Sequence, residues 1–124
     1  MNKREIWAKG EALAKDYLIK KGYIILETNY STAYGEADII AAKGRGVMFV
    51  EVKSRSTLSY GNPSEAVTRA KVGKYIALAT DYMRRLASGL DVRFDIIEIM
   101  PDGAIVHIEN AFDANDAPKY KKRF

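Results

Sequence analysis

Asp38, Glu51 and Lys53 are charged side chains inside two otherwise apolar runs, Glu36-Ala-Asp-Ile-Ile-Ala-Ala42 and Val47-Met-Phe-Val-Glu-Val-Lys53. Both runs read as strands, and the linking Lys43-Gly-Arg-Gly46 has the composition of a hairpin turn. Side chains alternate faces along a strand, so Glu36, Asp38 and Ile40 share one face and Val47, Phe49, Glu51 and Lys53 share one face. Symmetric closure of the hairpin pairs Ala42 with Val47 and Ile40 with Phe49. That register sets Asp38 opposite Glu51, and Glu36 opposite Lys53. Directly opposed residues bring their Cβ atoms to roughly 4.5–5.5 Å, and two like charges held so are destabilising unless a cation lies between them. Mg²⁺ or Mn²⁺, hard ions that take carboxylate, carbonyl and water oxygens, suit such a pair. A divalent ion beside a lysine matches the needs of phosphodiester hydrolysis: an activated water, a Lewis acid on the phosphoryl oxygen and positive charge for the transition state. Arg45, Arg55, Lys71 and Lys74 are available to backbone phosphates.

These residues need elements to hold them. Asn2 with Glu5 three residues on reads as the start of a first helix, and Lys20-Lys21-Gly22 as its end. Between them Ile6, Gly10, Leu13, Ala14, Tyr17 and Leu18 form one stripe at helical spacing, with Glu11 on its border. Tyr23–Tyr30 reads as a strand. Asn62-Pro63-Ser64-Glu65 signals the start of a second helix, which Ser88-Gly89 would close. Val92–Met100 and Ala104–Asn110 read as two strands about the turn Pro101-Asp102-Gly103. The order α-β-β-β-α-β-β predicts an α/β fold with one mixed sheet flanked by helices. We expect a single domain over 1–112 and a basic tail over 113–124.

Composition narrows the possibilities. A chain of 124 residues with 48% hydrophobic and 29% charged residues is that of one globular domain with its own core. The absence of cysteine excludes disulfides, thiolate zinc sites and cysteine nucleophiles. His107, the single histidine, excludes multi-histidine metal sites; it lies in a strand-like run and reads as structural. Asp95, in Arg93-Phe-Asp, reads as a partner for an arginine at least as readily as a catalytic acid. Trp7 and most of the tyrosines read as packing residues, whereas Tyr30, Tyr34 and Tyr60 fall in expected loops where stacking on bases is open to them. No window approaches the roughly 18 apolar residues of a membrane span. Lys3, Arg4, Glu5 and Lys9 occupy the place of a signal peptide's apolar stretch, so a cytoplasmic protein is expected.

Asp38 followed by Glu51-Val52-Lys53 resembles the D…(D/E)-x-K signature of the restriction-endonuclease-like nuclease superfamily, whose core has a similar α-β-β-β-α-β order. The chain is more closely similar to the YraN-like family of uncharacterised bacterial proteins, which resembles Holliday-junction resolvases. Gly10-Glu11, Tyr17-Leu18, Gly22-Tyr23, Asn29-Tyr30, Gly35-Glu36-x-Asp38, Phe49-Val50-Glu51-Val52-Lys53-x-Arg55 and Arg93-Phe94-Asp95 carry the resemblance. It implies that Asp38 and Glu51, with the Val52 carbonyl, are metal ligands, that Lys53 is the catalytic lysine, and that Glu11 is the added acid of the helix. Where several branches of the superfamily place Gln-x-x-x-Tyr on the second helix, this chain has Lys71-x-x-x-Tyr75. Lys71 and Tyr75 therefore read as packing and phosphate contacts, and Glu36 as an accessory acid or a partner of Lys53.

The charge balance agrees. The 20 basic residues exceed the 16 acids by four, and setting aside Glu11, Glu36, Asp38 and Glu51 raises that surplus to eight. Such a surface suits a polyanion around a small acidic cleft. The expected function is a Mg²⁺- or Mn²⁺-dependent endonuclease acting on DNA, with branched or structured DNA among the substrates that the resemblance suggests. Symmetric cutting of both strands would require a homodimer. The alternative is a non-catalytic nucleic-acid-binding protein on the same fold.

Overall fold

The computed structural model describes residues 2–55 and 69–112. Helix α1 (Lys3–Lys20) is followed by strands β1 (Ile24–Thr32), β2 (Gly35–Lys43) and β3 (Gly46–Ser54), helix α2 (Arg69–Met83), and strands β4 (Asp91–Ile99) and β5 (Ile105–Phe112). The five strands form one sheet in the order β1-β2-β3-β4-β5. Only the β3–β4 pair is parallel, so the sheet is mixed, as the element order predicts. The expected second-helix start at Asn62–Glu65, Tyr60 and the tail lie outside the described residues.

Local signals account for the ends of α1. The Asn2 side chain accepts a hydrogen bond from the Glu5 N–H at 2.9 Å, and Gly22 takes the left-handed conformation (φ 92°) just beyond the C-cap Lys21. The β2–β3 turn is tight, with Gly44 at φ 59° between the paired Lys43 and Gly46. The second helix ends at Met83, five residues before the predicted Ser88-Gly89 stop. Beyond it Arg85 and Leu86 donate to carbonyls three residues back, which tightens the chain into a turn. Gly89 serves instead in the approach to β4, where its carbonyl receives the Arg45 guanidinium and the Asp91 N–H donates to the Arg45 carbonyl at 2.8 Å.

The helices cover opposite faces. Phe49, Ile40 and Val47 pack with Tyr75, Leu78 and Tyr82 of α2, while Met48, Val50 and Ile39 pack with Ala14 and Leu18 of α1. Both faces of β2 and β3 are thereby buried, which explains their almost continuous apolar runs. Two expectations about packing are corrected. Ile6 is 44% exposed and Trp7 40% exposed, because the first turns of α1 run past the sheet and burial begins at Gly10. Tyr30 lies in β1 rather than a loop, edge-on to Tyr82 with ring centroids 5.1 Å apart. Among the described residues no helix is long and apolar enough to cross a membrane.

Candidate active site

The β2–β3 ladder has the register expected from the sequence, with Ala42 paired to Val47 and Ile40 to Phe49. It stops at Ile39–Val50, one step before Asp38 and Glu51 would face each other. There the Asp38 carboxylate takes over as acceptor: its Oδ2 receives the backbone N–H of Val52 at 2.8 Å. The same position shows a slip in side-chain phase. Ala37 and Ile40 both belong to the core under α2, whereas Ile39 and Ala41 belong to the core under α1. Strict alternation would place Ala37 with Ile39, so Asp38 sits where the pleat loses one step.

The neighbouring strand has a matching irregularity. Pairs Thr28–Ile39 and Tyr30–Ala37 flank Asn29 and Asp38, and Asn29 is in the left-handed region at φ 50°. Asparagine is one of the few residues other than glycine that adopts this conformation readily. Its amide donates to Glu11 Oε1 at 3.0 Å. In the sequence the one sign of this task is a conformationally permissive residue inside a strand run.

Glu11 is reached from the other face. A Cβ on Gly10 would overlap the Ser54 hydroxyl, so glycine permits α1 to close onto β3. Glu11 follows it and is 6% exposed, deeper than its place on the border of the helical stripe suggests.

A cleft of about 300 Å³ is lined by Glu36, Asp38, Glu51, Lys71, Lys74 and Tyr75, among others. The Lys71 ammonium forms an ion pair with Glu51 Oε1. Lys53 does not line this cleft; it is exposed and borders a second cavity with Val52, Arg55 and the first half of α1. The predicted Glu36–Lys53 pair does not form, because the ladder ends before it: Glu36 pairs across β1 with Ser31, and Lys53 stands beside Glu98 of β4. Arg45 lies in the β2–β3 turn, at the other end of the hairpin from the acids. Arg55 forms an ion pair with Glu98, which is only 2% exposed. Glu98 was not singled out from the sequence, since a lone acid in a strand run carries no local sign of its partner. Asp95 has the arginine partner that was one of its two readings, and His107 lies in the same hydrogen-bonded chain. Asp95 receives Arg93 through two bonds of 2.9 Å and His107 at 2.7 Å, and His107 continues to the Tyr17 hydroxyl at 2.9 Å.

The electrostatics single out Asp38. Burial pushes its carboxyl up to about 6; the Val52 N–H opposes the shift, and the carboxylates of Glu51, Glu36 and Glu11 add to it. Burial also raises Glu11, against the opposing effects of Asn29 and Lys15, with Glu36 adding to the rise. The Tyr75 phenol is held protonated, chiefly by burial and then by Glu51, Asp38 and Glu36. Among the described residues, Glu11 Oε2 and Glu51 Oε2 are buried side-chain oxygens with no hydrogen-bond partner. No three acidic or histidine side chains among the described residues draw together into a ready ligand set. The donors themselves are nevertheless suited to a hard cation: carboxylate oxygens, two of them unsatisfied, beside a carboxyl whose charged form burial and like charge disfavour and a cation would favour.

A model of the uncharacterised protein family UPF0102 matches residues 10–99. A UPF0102 protein of Thermodesulfovibrio yellowstonii is 46% identical over 112 residues, covering 90% of this chain and 99% of its own length. Another, from Clostridioides difficile, is 43% identical over 114 residues, covering 90% and 100%. Among solved structures, a Holliday junction resolvase of the archaeal hyperthermophile Archaeoglobus fulgidus superposes with a TM-score of 0.53 at 18% identity, over 80% of this chain and 72% of that one. The likeness is one of fold, and it agrees with the α/β core that the resemblance in sequence implies.

Proposed function

The chain belongs to the uncharacterised protein family UPF0102, and from its site we propose that it is a metal-dependent endonuclease that hydrolyses phosphodiester bonds in DNA. One observation carries the reading: Asp38 and Glu51 stand at the point where the β2–β3 ladder parts, and Glu51 keeps a buried carboxylate oxygen without a partner. Asp38 and Glu51, with Glu11 and the Val52 carbonyl, would hold Mg²⁺ or Mn²⁺. When bound, such an ion supplies an acidified water and polarises the phosphoryl oxygen.

The chain's own residues do the rest. Asn29 holds one oxygen of Glu11, and the other is buried without a partner. The Val52 N–H fixes the rotamer of Asp38. Lys53, two residues beyond Glu51, borders the neighbouring cavity and would offer its ammonium to a phosphate that lies across the end of β3. Lys71 holds Glu51 before a divalent ion arrives, and Lys74, with the surplus of basic residues, meets the backbone. A resolvase-like fold makes branched DNA the first substrate to try, and a two-fold dimer would match two cuts to a two-fold junction.

A second reading, a nucleic-acid-binding protein without turnover, is favoured by the Lys71 ammonium on Glu51 and by Lys53 lying outside the acidic cleft. One experiment separates the two: labelled linear, single-stranded, flapped and four-way-junction DNAs incubated with Mg²⁺ or Mn²⁺ and either the wild type or Lys53→Ala. Cleavage by the wild type that falls at least 100-fold in the variant supports the enzyme. Binding by both proteins with cleavage by neither leaves the binding protein.

A further inference from the structure

We propose that the cavity between the start of α1 and the end of β3 is a stacking subsite for an unpaired nucleotide next to the cut, with Trp7 as its platform. The inference rests on the nuclease reading for its location and on separate residues for its chemistry. The cavity measures about 750 Å³, room for a small ligand, and its lining includes Ile6, Trp7 and Met100. Trp7 is 40% exposed although it lies on a helix whose later turns are buried against the sheet, so part of a flat aromatic surface is left open beside the cavity. Apolar floor and exposed indole favour a ligand with a flat, weakly polar body.

The charged part of the lining specifies the rest. Lys3, Lys9 and Lys53 lie along the cavity with the ion-paired Arg55, and Asp102 is the one acid among the described residues of its lining. A ligand with a flat body and an anionic handle fits this arrangement, and a nucleotide is such a ligand: the base on the indole, the phosphate toward the lysines. A purely apolar peptide would leave the lysines without a role, and an acidic one would leave the indole unused.

Location supplies the remaining step. Val52 and Lys53 line this cavity, while Glu51, the preceding residue, lines the acidic cleft. The two open on the α1 and α2 sides of the sheet at the same end of β3, so a strand whose phosphate lies at Glu51 enters the cavity by passing over that end. The base that enters must present a free face. Inside a duplex both faces are covered by neighbouring bases, so the subsite selects substrates with an unpaired nucleotide beside the cut: flaps, gaps and opened branch points rather than blunt duplex.

Trp7 is the only tryptophan of the chain, which makes its fluorescence a direct reporter. Full-length protein in EDTA, where binding proceeds without cutting, is titrated with a single-stranded 12-mer and with a blunt 12-base-pair duplex. We expect the single strand to quench the emission and the duplex to leave it nearly unchanged. Trp7→Ala should weaken single-strand binding, followed by anisotropy, about tenfold, with Trp7→Phe retaining most of it, while duplex affinity stays within about twofold. Lys9→Glu, which leaves the indole in place, should weaken the single strand and steepen no other interaction. Single-strand binding with unchanged emission, or equal losses on both DNAs in Trp7→Ala, overturns the subsite. Cleavage assays run in parallel keep the two ideas apart: cutting without quenching retains the nuclease and removes the subsite, whereas quenching without cutting retains the subsite and removes the nuclease.

Discussion

Asp38 accepts the backbone N–H of Val52, 14 residues further along the chain, through a 2.8 Å bond at the point where the β2–β3 ladder gives out. A side chain does there what a backbone carbonyl does along the rest of the hairpin. The bond lets the strands part without orphaning Val52, and it fixes Asp38 one residue from Glu51's position in the register. Site and sheet are thus built from the same bond, and both can be probed through it.

The metal-free protein should lose stability as pH rises. Asp38 sits at about 6 in the fold against an ordinary 3.8. A carboxyl raised by folding contributes fully below its unfolded value, and the contribution is lost as pH climbs through the folded one. On the order of 2 kcal/mol should disappear between about pH 4 and pH 7. In EDTA, Asp38→Asn should be more stable than the wild type at pH 8 and close to it at pH 4. Urea unfolding at the two pH values measures this, and equal differences at both would refute it.

Lys71 competes with the proposed cation for Glu51. Lys71→Gln removes the ammonium and keeps a long polar side chain. We expect Mn²⁺ to bind this variant about fivefold more tightly in calorimetry, corresponding to about 1 kcal/mol, and Glu51→Gln to abolish the gain.

Asn29 combines two tasks that substitution can divide. Asn29→Gly keeps the left-handed backbone and removes the amide that holds Glu11; Asn29→Ala removes the amide and strains the backbone as well. Both should lower cleavage to a similar degree. Only Asn29→Ala should add an unfolding cost of about 1 kcal/mol, the penalty for an alanine in that region. A thermal melt of the pair tests the division.

Asp95 should matter to the fold and not to the chemistry. It is 1% exposed. Burial alone would raise its carboxyl, but His107, Arg93 and the Asn110 N–H together hold it below the ordinary value. A depressed carboxyl contributes stability above its unfolded pKa that is lost as pH falls through the folded one, so this contribution fades on acidification below about pH 4. Asp95→Asn should cost about 1–3 kcal/mol at pH 7, since it leaves Arg93 and His107 with one neutral acceptor oxygen in place of a shared carboxylate. Its kcat, measured at a temperature where the variant is folded, should change less than threefold.

Much of this protein can be read along the chain because the determining interactions are short-range. Asn2, Glu5 and Gly22 mark the ends of α1 through bonds to their own neighbours. Alternation and a glycine turn determine the β2–β3 register from Lys43–Gly46 to Ile39–Val50, the step before Asp38 and Glu51. Local rules fail where distant segments meet. The parallel placement of β4 brings Glu98 beside Lys53 and under Arg55, and packing of α2 on the sheet brings Lys71 to Glu51. The slip at Asp38 and Asn29 arises because β1 and β2 must both satisfy cores on two faces, which strict alternation from one strand cannot foresee. Exposure of Trp7 depends on where the sheet ends beneath α1, a boundary set by the other strands and not by the helix. The sequence by itself therefore determined the elements and the acids, whose patterns repeat over a few residues. The tertiary structure alone decided which cation meets which acid and which aromatic faces solvent, because those pairings join segments that only the folded sheet brings together.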